Sequence, residues 1–255
     1  KHQLPLTLGW DVAGDVVEVG PEAAGFQIGD AVYARPDIER DGSYAQYIAA
    51  KASDAAHKPA TLDDLHAAAV PLAALTAWQS LVDAAQLQAG QTVLIHAAAG
   101  GVGSFAVQLA KARGARVIAT ASAVNTGIVA ALGADQFIDY TQTHFENVAR
   151  DVDVVFDTVG GAVQQRSWQV LKPGGMLVSV VDPPLEATAA AHGVRSAFVF
   201  IQPSGAQLAA IAQLIDAGQM KPVIHTVLPL NEARQAQVIS QGGHARGKLV
   251  LQVAD

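Results

Sequence analysis

A glycine-rich turn between an apolar run and a helical pattern is the feature that most constrains this chain. Residues 92–97 (TVLIHA) form a short continuous apolar run, and residues 104–113 carry apolar side chains at helical spacing. Between them, Ala98, Gly100 and Gly103 fit the spacing of the dinucleotide fingerprint, with alanine in place of its first glycine. The order of strand, glycine turn and helix therefore predicts a backbone cradle for a pyrophosphate.

These glycines admit two explanations. Unpaired N–H groups and the helix dipole favour negative charge at a helix N-terminus, and a side chain at Gly100 or Gly103 would block the approach of a pyrophosphate. Alternatively, the glycines only allow a strand and a helix to pack tightly, and no ligand is involved. The alternation of strands and helices around the turn favours the nucleotide.

The segments on either side of the turn indicate two kinds of structure. Residues 10–20, 29–33 and 42–48 have short, irregular apolar alternation with glycines, which is typical of twisted antiparallel strands. From residue 92 onward, buried-type strands alternate with helical patterns, as in a doubly wound parallel sheet. The strands of this second region are expected at residues 92–97, 115–120, 136–139, 152–157 and 175–181.

Composition and charge exclude several classes of protein. The 255 residues carry a net charge of −7 with no cluster of Lys and Arg, which argues against a nucleic-acid surface. No apolar run reaches the ~20 residues of a membrane helix, and there is no signal segment, so we expect no membrane partner and a cytoplasmic location. The chain has no cysteine, which excludes thiolate metal sites. It begins at Lys1 without a methionine, and we expect it to lack its true start.

The end of the second strand of the parallel sheet bears on the choice of nucleotide. An acidic side chain there would hydrogen-bond an unphosphorylated ribose, but residues 119–125 (ATASAVN) contain no acid. This leaves room for a 2′-phosphate, with Ser122 and Asn125 as neutral donors, although no Arg or Lys stands nearby. NADP is favoured on this ground. Ser122 and Asn125 could equally be turn and cap residues.

Several motifs in a fixed order resemble a known family. They are Gly9-Trp10-Asp11-x-x-Gly14, residues 42–47 (GSYAQY), residues 71–78 (PLAALTAW), the glycine turn, Ser122-x-x-Asn125, residues 132–135 (LGAD) and residues 247–251 (GKLVL). Together they are similar to the zinc-independent quinone oxidoreductase branch of the medium-chain dehydrogenase/reductase superfamily. The resemblance implies an α/β fold, with a Rossmann doubly wound parallel sheet at residues 75–221. It also implies a partial GroES-like β domain at residues 1–74, completed by residues 222–255.

The resemblance also implies site residues. Contacts to the cofactor would come from Gly100, Gly101, Val102 and Gly103 at the pyrophosphate, Ser122 and Asn125 at the adenosine ribose, Tyr140 near the adenosine, and Val159, Gly160, Val180 and Val181 on the nicotinamide side. Lys248 would reach the cofactor or pair with a surface carboxylate. Where relatives often have Lys or Arg beside the Asn, this chain has Val124. Trp10, Tyr44 and Thr76 are expected to line an apolar substrate cleft, and His96 to be a hydrogen-bonded structural residue.

The expected chemistry follows from the missing metal ligands. Zinc-dependent relatives place His and Glu at the positions of Trp10 and Asp11 and supply cysteine ligands, so no zinc is expected. The resemblance then implies NADPH-dependent hydride transfer to a small-molecule quinone or α,β-unsaturated carbonyl, by a homodimer. One alternative is an enoyl-thioester reductase of the same fold. Another, from a different class, is a cofactor-binding protein without turnover, acting as a sensor or structural protein.

Overall fold

The computed structural model describes residues 4–253 and divides into two compact units. The first unit runs to Leu75 and resumes at Ile201, and the second is Thr76–Phe200. In chain order the strands are β1 (Val12–Asp15), β2 (Ala31–Ala34), β3 (Ala55–His57), β4 (Thr92–Ile95), β5 (Arg116–Ala121), β6 (Gln136–Asp139), β7 (Val152–Asp157), β8 (Leu171–Ser179), β9 (Arg195–Phe198), β10 (Ile224–Pro229) and β11 (Lys248–Gln252). The α-helices are α1 (Asp64–Ala68), α2 (Pro71–Trp78), α3 (Gly101–Ala112), α4 (Thr126–Ala131), α5 (Gly161–Ser167), α6 (Glu186–Ala191), α7 (Gly205–Asp216) and α8 (Ala233–Gln241).

The second unit is a six-stranded parallel sheet with the order β6-β5-β4-β7-β8-β9. The sheet begins at its centre with β4 and extends first to one side and then to the other, which is the doubly wound arrangement. Its strands are nearly continuous apolar runs because helices cover both faces of such a sheet. Leu94, Val155, Leu177 and Trp168 are all almost completely buried in its core. The predicted Rossmann fold is therefore confirmed.

The first unit is built around two small sheets. Strands β1, β2 and β3 form an antiparallel sheet in that order, and β10 pairs with β11 in parallel. These strands are short and separated by turns, as the sequence of a GroES-like domain predicts. The unit confirms the second half of the predicted fold class.

The boundary between the two regions differs from the one expected from sequence. Residues 201–221 were assigned to the Rossmann domain, yet they belong to the first unit. Helix α7 packs against β3, and the hydroxyl of the fully buried Tyr33 donates to the Leu208 carbonyl at 2.6 Å. At the other end of α7, the Asp216 carboxylate accepts from the Thr61 N–H at 3.0 Å. The helix looked like one more Rossmann helix because amphipathic spacing does not say which sheet a helix covers.

One local prediction was wrong. Residues 42–48 contain bends at residues 43–46 and no strand. Helix α6 and strand β9, the last two elements of the second unit, were not predicted. Within residues 4–253, no helix is long and apolar enough to cross a membrane.

Candidate functional site

The carboxyl-terminal edge of the parallel sheet gathers eleven of the twelve residues predicted to bind the cofactor. They lie directly after β4, β5, β6, β7 and β8, and the strand order places the glycine turn after the central strand. Ligands of open α/β sheets bind outside the carboxyl ends of the strands, where the strand order reverses. In this sheet that position lies between β4 and β7. The twelfth residue, Lys248, belongs to the first unit.

The glycine turn is held tightly against the end of β4. Ala97 has a left-handed backbone with φ of +47°, the Gly100 N–H donates to its carbonyl at 2.9 Å, and the Ala98 N–H donates to the Thr120 carbonyl at 3.0 Å. A Cβ atom on Gly103 would collide with the Ala97 carbonyl oxygen and lie 2.8 Å from the Ala98 Cα. The glycine at position 103 is therefore required by packing of the helix on the turn. Of the two explanations considered for this glycine, the tight packing of strand and helix is the one that this contact supports.

The N-terminus of α3 fits an anion. Gly100 precedes the helix without a side-chain cap, and no acidic residue lies in the first turn. The Ser104 N–H already donates to the Gly100 carbonyl at 3.0 Å, so the N–H groups available to a ligand are those of the residues before it. These are Gly101, Val102 and Gly103, three of the predicted pyrophosphate contacts. Unpaired amides at a helix N-terminus favour phosphate oxygens.

Ser122 and Asn125 face each other at the end of β5. The Asn125 side-chain amide donates to the Ser122 hydroxyl at 3.0 Å, while the Asn125 Oδ1 atom is buried without a hydrogen-bond partner. A buried amide oxygen without a partner is costly unless a donor reaches it. Between them, the Val124 side chain is 71% exposed. Tyr140, at the end of the neighbouring β6, is also exposed, and its N–H donates to the Ala121 carbonyl at 3.3 Å. The predicted adenosine residues therefore lie together.

The segments after β7 and β8 present apolar side chains beside a buried carboxylate. Val159 and Val181 are each 45% exposed. Between their strands, the Asp157 carboxylate has no exposed surface and accepts from the Val159 and Gly160 N–H groups at 3.0 and 2.8 Å. No role at the site was predicted for Asp157. The available signal was an acidic residue at the end of a buried strand, just before a glycine.

His96 lies buried at the end of β4 and is hydrogen-bonded at both ring nitrogens, as expected for a structural residue. Its Nδ1 atom is 3.1 Å from the Thr120 hydroxyl, and its Nε2 atom is 2.9 Å from the Ser167 hydroxyl. Because Ser167 donates its own hydrogen to the Val163 carbonyl at 2.8 Å, the imidazole carries its hydrogen on Nε2. Burial lowers the pKa of His96 to about 4, against an opposing effect of the Asp157 carboxylate. The ring is therefore neutral near pH 7.

In the first unit, Lys248 pairs with a carboxylate. Its ammonium lies 2.8 Å from Asp11 Oδ2, and Asp11 Oδ1 accepts from the Leu72 N–H at 2.6 Å. Of the two roles considered for Lys248, ion pairing is the one present in this structure. Both oxygens of Asp11 are occupied by donors of the chain itself. Asp11 is therefore poorly suited to bind a metal ion.

The three predicted substrate residues are divided between the units. The Tyr44 side chain packs on Gly9, where a Cβ atom would overlap its ring, and its hydroxyl accepts from Gln237 Nε2 at 3.1 Å. Trp10 is half-buried in the same unit. Thr76 is 5% exposed and belongs to the second unit.

Comparison with known proteins agrees with this architecture. Residues 1–60 match the family model of the alcohol dehydrogenase GroES-like domain, and residues 132–251 match that of a zinc-binding dehydrogenase. The chain is 35% identical to mouse "NAD(P)H oxidoreductase RTN4IP1, mitochondrial", over 99% of this chain and 72% of that protein. It is 38% identical to Arabidopsis thaliana "NADPH-dependent alkenal/one oxidoreductase, chloroplastic", over 97% of this chain and 64% of that protein.

A solved structure extends the comparison to the fold. The quinone oxidoreductase from Coxiella burnetii superposes with a TM-score of 0.91 at 36% sequence identity, covering 98% of this chain and 80% of that one. At this coverage the match includes residues of both units. The chain thus belongs to the medium-chain dehydrogenase/reductase superfamily of oxidoreductases, in its quinone oxidoreductase-like branch.

Proposed function

We propose that this protein is an NADPH-dependent oxidoreductase that transfers hydride to a quinone or an α,β-unsaturated carbonyl compound without zinc. The observation that carries the proposal is the glycine turn and uncapped helix α3 at the centre of the carboxyl edge of the sheet. The names of the compared proteins support both acceptor classes, because one is a quinone oxidoreductase and another an alkenal/one oxidoreductase.

Each segment of this edge would bind a different part of a nicotinamide dinucleotide. The first N–H groups of α3 would bind the pyrophosphate, Ser122, Asn125 and Tyr140 the adenosine half, and the segments at Val159 and Val181 the nicotinamide half. The bound cofactor would supply the hydride, and the protein orientation and a dry apolar surface. The exposed valines at both segments suit an uncharged ring.

NADPH is the favoured form of the cofactor. No acidic residue follows β5, so nothing there would repel a 2′-phosphate or bind a free 2′-hydroxyl in its place. The hydroxyl of Ser122 and the amide of Asn125 are neutral groups that can donate to phosphate oxygens. Because Val124 provides no charge, we expect the preference over NADH to be modest.

The absence of zinc is part of the proposal. The sequence has no cysteine, and in the described part of the chain no three His, Cys, Asp or Glu residues are grouped so that they could hold a metal ion. Both Asp11 oxygens are engaged by Leu72 and Lys248. An electron-poor acceptor needs no Lewis acid, so Trp10, Tyr44 and Thr76 would serve only to bind it.

The remaining expectations stay proposals. A homodimer would be tested by measuring the mass in solution. A cytoplasmic location and the lack of nucleic-acid and membrane partners follow from composition alone, and the names of two compared relatives place those proteins in mitochondria and chloroplasts.

Cofactor oxidation tests the proposed function directly. NADPH and NADH consumption would be followed with a simple quinone and a simple enone in parallel. We expect NADPH to be consumed faster than NADH with at least one acceptor. Tight NADPH binding with no reduction of either acceptor would contradict the enzyme and support a binding protein.

A further inference from the structure

The buried carboxylate of Asp157 is the centre of a hydrogen-bond network that the proposed reaction does not use. Its four partners are all neutral donors. Oδ1 accepts from the Val159 and Gly160 N–H groups, and Oδ2 accepts from Gln164 Nε2 at 3.1 Å and the Ser179 hydroxyl at 2.9 Å. A group surrounded only by donors fits the ionised carboxylate, which has acceptors alone. No Lys or Arg among the described residues forms an ion pair with it.

The same network extends into the segment after β8. The Ser179 hydroxyl, which donates to Asp157, accepts from the Val181 and Asp182 N–H groups, each at 3.3 Å. Gln164 Nε2 also donates to the Asp182 carbonyl at 2.8 Å. Asp157 therefore contacts the segment after β7 directly. It is connected to the segment after β8 through two side chains, those of Ser179 and Gln164.

Asp182 completes the connection from the opposite direction. Its carboxylate accepts from the Gly161 N–H, the first residue of α5, at 2.7 Å. A Cβ atom on Gly160, whose φ is +78°, would collide with this carboxylate. The segments at residues 158–161 and 180–182 are thus held against each other at a fixed separation, without any charge pairing.

A second aspartate of β7 shows what a purely structural carboxylate looks like in this sheet. Asp153, near the opposite end of the strand, pairs with Lys172 and accepts from the Thr92 N–H at 2.8 Å. Thr92 and Lys172 lie at the starts of β4 and β8, and Lys172 supplies a compensating positive charge. Asp157 instead joins the two segments that carry exposed Val159 and Val181. A buried carboxylate without a cation depends on its hydrogen bonds alone, so the four donors must stay in place around Asp157.

From these contacts we infer that Asp157 is a positioning residue that sets the spacing of the Val159–Gly160 and Val180–Val181 segments for the nicotinamide half of the cofactor. The inference rests on the proposed function. Asp157 would not contact the cofactor itself, because its carboxylate is enclosed by its four donors. Its effect would be confined to the half of the cofactor that those two segments bind.

The experiment compares two ligands on three proteins. Dissociation constants of NADPH and of 2′,5′-ADP, which lacks the nicotinamide half, would be measured for wild type, Asp157→Asn and the matched control Asp153→Asn. The amide introduced by Asp157→Asn must place its N–H hydrogens against existing donors, so we expect NADPH to bind about 10-fold more weakly while 2′,5′-ADP changes less than about twofold. Asp153→Asn should lower stability but leave the ratio of the two constants unchanged.

The outcomes separate the inference from the proposed function. If wild type binds neither ligand, the proposed function fails. If wild type binds both and Asp157→Asn weakens both equally, or neither, the positioning role is wrong. Should Asp157→Asn not fold, Ser179→Ala removes a single donor of the network and should weaken NADPH alone, by about threefold. Equal effects of Ser179→Ala on both ligands would overturn the inference as well.

Discussion

The two edges of the parallel sheet stabilise carboxylate side chains in different ways. At the amino edge, carboxylates are balanced by lysines: Asp153 pairs with Lys172, and Asp135 pairs with Lys111 at 2.9 Å while also accepting from the Val117 N–H. At the carboxyl edge, Asp157 is held by neutral donors alone. Lys and Arg are absent from the segments that follow the strands at this edge, which are residues 96–100, 122–125, 140–144, 158–160 and 180–185.

The difference indicates which edge of the sheet has groups available to bind an anion. At the amino edge, Lys111 and Lys172 are held in ion pairs with Asp135 and Asp153. At the carboxyl edge, positive potential comes instead from backbone N–H groups at the start of α3. Backbone amides are fixed in direction and cannot be turned away, so this edge is pre-arranged for an anion.

The largest expected effect comes from adding one methyl group at the carboxyl edge. Gly103→Ala would place a Cβ atom against the backbone of Ala97 and Ala98, which cannot move aside because their own hydrogen bonds fix them. We expect a loss of about 3 kcal/mol in the free energy of unfolding, measured with urea. NADPH binding should be lost with it.

Another glycine provides the control for that substitution. Gly127 in α4 has nothing within 4 Å of an added Cβ atom. Gly127→Ala should therefore raise stability by up to about 1 kcal/mol, because alanine favours helix. If Gly103→Ala were as stable as wild type, the turn would not be tightly packed.

The second prediction uses pH to tell the two edges apart. The pKa of His96 is lowered in the folded state by burial, so the unfolded chain binds more protons and stability falls as pH drops from the unfolded value of 6.5 toward about 4. At pH 5 the loss from His96 should be about 2 kcal/mol relative to neutral pH. His96→Gln should remove this slope between pH 6.5 and 4, as followed by urea unfolding across that range.

The amino edge should respond at lower pH. Burial raises the pKa of Asp153. Hydrogen bonds from Lys172 and Thr92 and the charge of Lys172 lower it by more, so the pKa lies below the ordinary 3.8. Its contribution is present above that value and is lost as pH falls below it. A His96→Gln protein that still lost stability between pH 6.5 and about 5 as steeply as wild type would assign the slope to other groups.

Features of the fold that depend on neighbouring residues could be predicted from the sequence, whereas features that depend on contacts between distant residues could not. Strand β7 was predicted with its observed bounds, and the glycine turn in its observed place, because apolar runs and glycine spacing are local signals. The assignment of α7 to the first unit could not be predicted, because it depends on a contact between residues 33 and 208.

The Asp157 network was missed for the same reason. Its partners Gln164 and Ser179 lie 7 and 22 residues along the chain, and nothing in their spacing marks them as partners. Residues 42–48 were misread as a strand because alternation of apolar residues does not reveal that Gly42 packs against the Gly9 carbonyl. Local patterns thus identified the elements, whereas the contacts between them set the details of the site.

The smallest expected effect comes from making the carboxyl edge resemble the amino edge. Val124→Arg adds a cation at an exposed position between Ser122 and Asn125. If this segment binds the 2′-phosphate, a charge-assisted contact should strengthen NADPH binding by about 1 kcal/mol, about fivefold, and leave NADH unchanged. Both constants would be measured at low and high salt, since screening should reduce the gain.

An exposed valine outside the segment after β5 gives the matched control. Val148 is 48% exposed and lies between β6 and β7, so Val148→Arg adds the same charge to the protein outside the Ser122–Asn125 segment. A general electrostatic attraction for NADPH would appear in both variants, whereas a local contact would appear in Val124→Arg alone. An equal gain for NADH and NADPH in Val124→Arg would mean that the segment after β5 does not bind the phosphate. The neutral character of this edge would then have no bearing on the choice of cofactor.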